Sequence, residues 1–158
     1  MYTRIYPWIH DLKNRLNTEA VTTPIPFPDI DPSQRPSDFQ FQMLNGNFVD
    51  VAQELEEESM DAIITTFFID TAQNVLEYVD KIHQLLKPNG IWINFGGLNF
   101  SYEAFEQELC IPLSLEVLKK SIQHNFVFLK DELIQTTSGH HSMQSAILNC
   151  AFFTCQKK

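Results

Sequence analysis

Asp70 closes a run of eight residues, Ala62 to Ile69, that are all apolar or threonine. A run with no polar alternation fits a parallel strand buried on both faces. In open α/β sheets the C-terminal end of such a strand is where ligands bind. A carboxylate there offers acceptor oxygens to a ligand's N–H or O–H groups. Spacing alone leaves a second reading open, because a helical pattern follows almost at once and Asp70 or Thr71 can cap it.

Two other groups carry side chains with chemistry. His140 and His141, with Cys150 and Cys155 downstream, match no common zinc spacing, so they read as turn histidines and ordinary thiols, and no metal is expected. Tyr6, Trp8 and His10 in "YPWIH" form an aromatic cluster whose ordinary role is packing.

The elements that must position Asp70 are readable around it. A helix over about Thr71 to Leu86 places Val75, Val79, Ile82 and Leu86 on one stripe. Lys87-Pro88-Asn89-Gly90 stops it, with glycine taking the left-handed turn. "IWINFGG" (Ile91 to Gly97) reads as a second buried strand. "SYEAFEQEL" and "SLEVLKKSIQHN" read as amphipathic helices capped by Ser101 and Ser114. "FVFLKDELIQ" and "SAILNCAFFTCQ" read as a final antiparallel strand pair. Upstream, "FQFQMLNGNFVDV" (Phe39 to Val51) alternates like a strand. Before it, "TTPIPFPDIDPSQRPSD" holds most of the eight prolines and reads as an extended loop.

The 158 residues suit one domain, and 44% hydrophobic content with thirteen Phe supports a core. A net charge of −9 argues against nucleic acid and anionic membranes as partners. "ELEEES" concentrates part of that charge and reads as a solvated loop or helix end. The three cysteines form no CxxC pair, which fits a reducing compartment. "MYTRIYPWIH" has no apolar signal core, so a cytoplasmic or nuclear location is expected.

Longer words carry a resemblance. "IYPWIH", "FPDIDP", "FFIDTAQNVLEYVDKIHQLLKPNGIWINFGGL" and "ELCIPLS" resemble the carnosine N-methyltransferase family, over nearly all of this chain. The family also has a long preceding segment with a glycine-rich loop for S-adenosyl-L-methionine (AdoMet), the first two strands of the sheet and an acidic residue for the ribose. The chain has five glycines and no GxGxG-like run after a strand. The implied fold is α/β, a Rossmann-like AdoMet-dependent methyltransferase sheet lacking its N-terminal strands. Residues 1–40 would be a family-specific aromatic and proline-rich loop region. Residues 41–158 would be the C-terminal part of a single methyltransferase domain.

The resemblance implies methyl transfer from AdoMet to an imidazole nitrogen of carnosine, giving anserine. Asp70 is then both catalytic and substrate-binding: it accepts the imidazole N–H, fixes the tautomer and leaves the other nitrogen nucleophilic. Asn47 falls on the acidic residue of the family's "GDF" segment, which touches adenosine, and Phe48 on the aromatic beside it. Ala62 falls on another cofactor-contact position. Ser101 falls on a substrate-binding histidine, and Thr137, Ala146 and Leu148 fall near the family's tyrosines before the last strand. Substrate-binding residues are therefore expected at Asp70, Ser101 and Leu148, and cofactor-binding ones at Asn47, Phe48 and Ala62. The lost imidazole and phenol groups would weaken discrimination for carnosine. The expected partner is a small imidazole dipeptide, with no nucleic acid and no membrane. The strand ending at Asp70 would have an open edge for a preceding segment or a protein partner to cover. The alternative is a non-catalytic truncated homologue acting as a protein-interaction fragment.

Overall fold

The computed structural model describes residues 2–29, 41–100, 111–138 and 143–158. Where the sequence suggests one domain with a boundary at 40/41, the contacts define two compact units. One comprises Met1–Met43 with Thr137–Ile147, the other Leu44–Thr136 with Leu148–Lys158.

In the first unit β1 (Tyr2–Ile5) pairs antiparallel with β2 (Ile25–Pro28), Tyr2 opposite Pro28 and Ile5 opposite Ile25. Part of the proline-rich segment is thus a ribbon strand and not a loop. A two-stranded ribbon consists only of edges, the one place a sheet tolerates Pro26 and Pro28. The single-turn helix α1 (Glu19–Thr22) lies between the two strands in sequence and carries the buried Val21. The carbonyl of Asn14 accepts from the Met143 amide at 2.6 Å, and its side-chain amide donates to Gln144 at 2.9 Å. Pro32 and Pro36 lie outside the described residues.

The second unit holds α2 (Phe48–Glu54), β3 (Met60–Thr66), α3 (Val75–Leu85), β4 (Leu86–Gly96), α4 (Leu115–Asn125), and most of β5 (Phe126–Ser138) and β6 (Ala146–Lys157). Its sheet runs β3-β4-β6-β5. β3 and β4 are parallel, with Ile63 beside Trp92 and Thr66 beside Phe95. β6 is antiparallel to β4, with Trp92 opposite Cys155 and Gly96 opposite Ala151. Along β5 and β6, Phe128 packs on Phe153 while Gln135 bonds Asn149, so the contacts run in opposite directions as in an antiparallel pair. No helix among the described residues is long and apolar enough to cross a membrane.

The core lies on one face of this sheet. Trp92 and Asn94 of β4, with Phe153 and Cys155 of β6, alternate inward against Val75, Val79 and Ile82 of α3 and Leu118 and Ile122 of α4. The helices seat there because their apolar residues recur three and four apart. Cys150 and Cys155 are buried free thiols. Burial, with the Asp131 carboxylate adding to it, pushes the Cys155 thiol up to about 12, far from a reactive thiolate.

A buried polar chain crosses the three strands. Trp92 Nε1 donates to Thr65 Oγ1 at 2.9 Å. The Thr65 hydroxyl donates to Asn94 Oδ1 at 2.9 Å, and Asn94 Nδ2 donates to the Ala151 carbonyl at 3.2 Å. No buried side-chain polar atom among the described residues lacks a partner.

Several expectations are corrected. The segment read as a strand up to Val51 turns helical at Phe48, because Asn47 takes an extended conformation and its side chain accepts from the Val49 amide at 2.9 Å. β3 ends at Thr66, not Ile69, and is a sheet edge among the described residues: Ile64 is 69% exposed, so it is not buried on both faces. α3 starts at Val75, capped by Asn74 at 3.1 Å, so neither Asp70 nor Thr71 is its cap. The strand expected from Ile91 begins at Leu86, directly after α3, and the left-handed residue is Asn89, at φ 64°, where the β3–β4 register shifts. Gly90 is needed for another reason: a Cβ there would lie 2.8 Å from the Lys87 carbonyl. Ser114 caps α4 as expected, and "SYEAFEQEL" lies outside the described residues.

Candidate active site

The C-terminal ends of β3 and β4 form a rim where the chain changes direction sharply. Phe67 follows β3 with φ 46°, a left-handed conformation that a bulky residue adopts only under constraint. Its amide donates to the Phe95 carbonyl at 2.8 Å. Gly96 makes room: a Cβ there would stand 3.0 Å from both N and Cα of Phe67. Beyond that corner a single 3-10 turn, Ile69–Thr71, carries Asp70. The Thr71 hydroxyl closes the turn by donating to the Phe68 carbonyl at 2.7 Å.

Asp70 is buried, 9% exposed, yet it bonds no amide of the following helix. Its Oδ2 accepts from the Asn99 backbone amide at 3.0 Å, which ties the turn after β3 to the segment after β4. Oδ1 accepts no bond from the described residues. Asn99 gave no advance signal in the sequence, since it acts through its backbone.

Beside this turn lies a cavity of about 440 Å3. Phe68 and Thr71, which flank Asp70 in sequence, line it from one side, and Gly46, Asn47 and Phe48 line it from another. Asp70 does not line it. Phe48 meets Phe68 edge-on at 5.4 Å and Tyr78 at 4.9 Å, and Phe68 stacks with Tyr78 at 5.3 Å. At Gly46 a Cβ would come 2.9 Å from Val51, so the α2 entry can pass here only with glycine. A polar recess of about 210 Å3 adjoins it, sharing Asn47, Thr71 and Tyr78 and adding Asp50, Asn74 and Glu77. Sequence reasoning named Asn47 and Phe48 for this region and missed Phe68, Thr71 and Tyr78. Tyr78 had a readable signal, lying three residues after Val75 and four before Ile82 on the apolar side of α3.

The remaining expected positions are less convergent. Asn47 Oδ1 caps α2, which leaves its Nδ2 donor for a ligand. Ala62 is exposed on β3, four residues before the end of that strand, and does not line the cavity. Leu148 is 44% exposed and precedes Ala151, the partner of Gly96, so it extends past the same rim from which Asp70 emerges. Thr137 and Ala146 are exposed and belong to the first unit. Ser101, His140 and His141 lie outside the described residues. Among the described residues no three His, Cys, Asp or Glu side chains cluster as metal ligands would.

A family model described as carnosine N-methyltransferase matches residues 2–158. The mouse carnosine N-methyltransferase is 39% identical over 158 residues, covering 98% of this chain and 39% of the mouse protein. The Dictyostelium discoideum carnosine N-methyltransferase is 38% identical over 158 residues, covering 95% of this chain and 33% of that protein. The chain thus spans well under half the length of these relatives. Among solved structures, TehB from Haemophilus influenzae superposes with a TM-score of 0.50 at 13% identity, over 71% of this chain and 40% of TehB. The N-methyltransferase NodS from Bradyrhizobium japonicum, solved with S-adenosyl-L-homocysteine, gives 0.47 at 11% identity, over 68% of this chain and 51% of NodS. The sheet is Rossmann-like.

Proposed function

The chain belongs to the carnosine N-methyltransferase family, and from that premise we propose that its rim serves AdoMet-dependent methylation of an imidazole nitrogen of carnosine, giving anserine. The observation that carries the reading is Asp70. One oxygen is fixed by the Asn99 amide and the other accepts no bond from the described residues, at the sheet end where α/β folds bind ligands.

The cavity beside Asp70 suits part of the cofactor. Its size falls in the roughly 300–1,000 Å3 that ligand sites use, and its aromatic lining suits a flat base. Phe68 and Tyr78 would contact the adenine ring there, with Asn47 Nδ2 as donor and Phe48 packed behind them. When bound, AdoMet supplies an activated methyl group. The work of the chain is positional. Asp70 Oδ1 accepts the N–H of the neutral imidazole, so the lone pair sits on the opposite ring nitrogen. The same carboxylate stabilises the positive charge that grows on the ring as it is alkylated. Holding the acceptor in line contributes the rest.

The test is methyl transfer to carnosine by the polypeptide that carries this chain, followed by mass spectrometry, for wild type and Asp70→Asn. The amide isostere can still accept from Asn99, so the turn survives while the charge is lost. We expect a fall of about 100-fold or more. Undiminished turnover would remove Asp70 from the mechanism.

A second reading rests on the outer edge of β3. Its peptide groups and the 69%-exposed Ile64 suit the addition of a strand, from a preceding segment or a partner protein.

A further inference from the structure

We infer that Phe67 supplies an aromatic contact to the heterocycle that Asp70 orients. The inference deepens the reading above and rests on it. Its starting point is the backbone. A phenylalanine at φ 46° costs on the order of 1–3 kcal/mol and persists only where its surroundings over-determine it. Here the amide is held by the Phe95 carbonyl, and Gly96 permits the close approach of the corner. Glycine would meet the same backbone demand without cost, so the aromatic side chain needs a reason of its own.

Packing does not supply that reason. The ring is 47% exposed, and its described aromatic neighbour is Phe95, met edge to face at 5.4 Å and 84°. An edge-to-face pair leaves at least one face of the Phe67 ring uncovered. The corner turns that ring to the side of Phe95, away from the core face that Trp92 and Asn94 enter. Asp70 follows three residues later, through a 3-10 turn, so the two Cα atoms are at most roughly 11 Å apart by chain reach. The Asp70 carboxylate and a half-exposed aromatic ring therefore share one rim.

That pairing fits a flat ring that gains positive charge. The carboxylate takes the edge N–H, and the aromatic face meets a ring whose attraction to it grows as the charge develops. An interaction stronger in the transition state than in the ground state raises kcat more than it lowers KM.

The test compares Phe67→Gly, Phe67→Tyr and wild type in the full polypeptide. Thermal melting is measured alongside kcat and KM for carnosine. Glycine relieves the backbone, so we expect a Tm at or above that of wild type together with a fall in kcat/KM of about 3- to 30-fold, mostly in kcat. Tyrosine keeps the face and retains turnover within about threefold. The inference is overturned by a glycine variant within twofold of wild type, or by one whose Tm falls in step with its activity, which would make Phe67 a packing residue. A wild-type polypeptide that methylates no imidazole compound defeats the parent reading and this one together. Robust wild-type turnover with an indifferent Phe67→Gly defeats only this one.

Discussion

Adding one methyl group at Gly96 should damage the rim, while the same change at the neighbouring Gly97 should not. A Cβ built on Gly96 stands 3.0 Å from N and Cα of Phe67, and both are backbone atoms that cannot rotate away. Relief requires the corner to retreat by several tenths of an ångström. That retreat strains the 2.8 Å bond from the Phe67 amide to the Phe95 carbonyl and shifts the turn bearing Asp70. Overpacking of this kind costs about 1–3 kcal/mol. For a chain of this size each kcal/mol lowers Tm by about 4 °C, so Gly96→Ala should melt about 4–12 °C below wild type. At Gly97 a Cβ meets nothing within 4 Å, and Gly97→Ala should stay within about 1 °C. Circular dichroism melts of the three proteins under one buffer decide the matter. Equal melting of Gly96→Ala and Gly97→Ala would show that the corner is not clamped as described, and the argument for Phe67 would lose its support.

Two further outcomes follow from the opposite end of the sheet. Lys157 is buried and donates to the Leu86 carbonyl at 2.7 Å, at the C-terminus of α3, with Glu58 at 3.2 Å. Lys157→Met keeps the stem but leaves that carbonyl without its donor, which should cost about 1–3 kcal/mol in urea unfolding; no change would show that solvent already serves it. At His83, burial and then the Lys157 ammonium hold the imidazole below its ordinary 6.5, against the pull of Asp80 and Glu58. The unfolded chain therefore takes up the proton first, and the contribution of His83 is complete above about pH 6.5 and lost as pH falls. Melts between pH 7.5 and 5 should show a smaller acid-side loss for His83→Gln than for wild type, and parallel curves would refute the assignment.

The parts of the fold legible in the sequence are those with one dominant signal. The stripe of Val75, Val79 and Ile82 gave α3, and Ser114 ahead of a periodic segment gave α4. The unreadable parts are contests between local signals. Asn47 and the helical spacing of Phe48, Val51 and Ala52 overrode an alternation that looked like a strand. Asn74 took the capping role from Asp70 because the chain spends Ile69–Thr71 in a 3-10 turn, and no residue type announces such a turn. The first five residues of the apolar run became a parallel strand, but composition cannot say where that strand stops or whether both its sides are covered. At the site, a carboxylate near the strand's C-terminal end was foreseen, with capping of the next helix left open as its role. Its anchor was not, because a backbone amide such as that of Asn99 is the same in every sequence.

The hydrogen-bonded chain through Trp92, Thr65, Asn94 and the Ala151 carbonyl bears on how the rim is set. Side chains alternate faces along a strand, so a slip of one residue would carry Asn94 and Trp92 to the wrong side and break every link at once. A slip of two would restore the faces but pair each group with the wrong neighbour. The level at which β3 and β4 end is consequently stepped and not adjustable. Amide hydrogens of these strands should exchange as one cooperative block, with no slow drift in the height of the carboxylate above them.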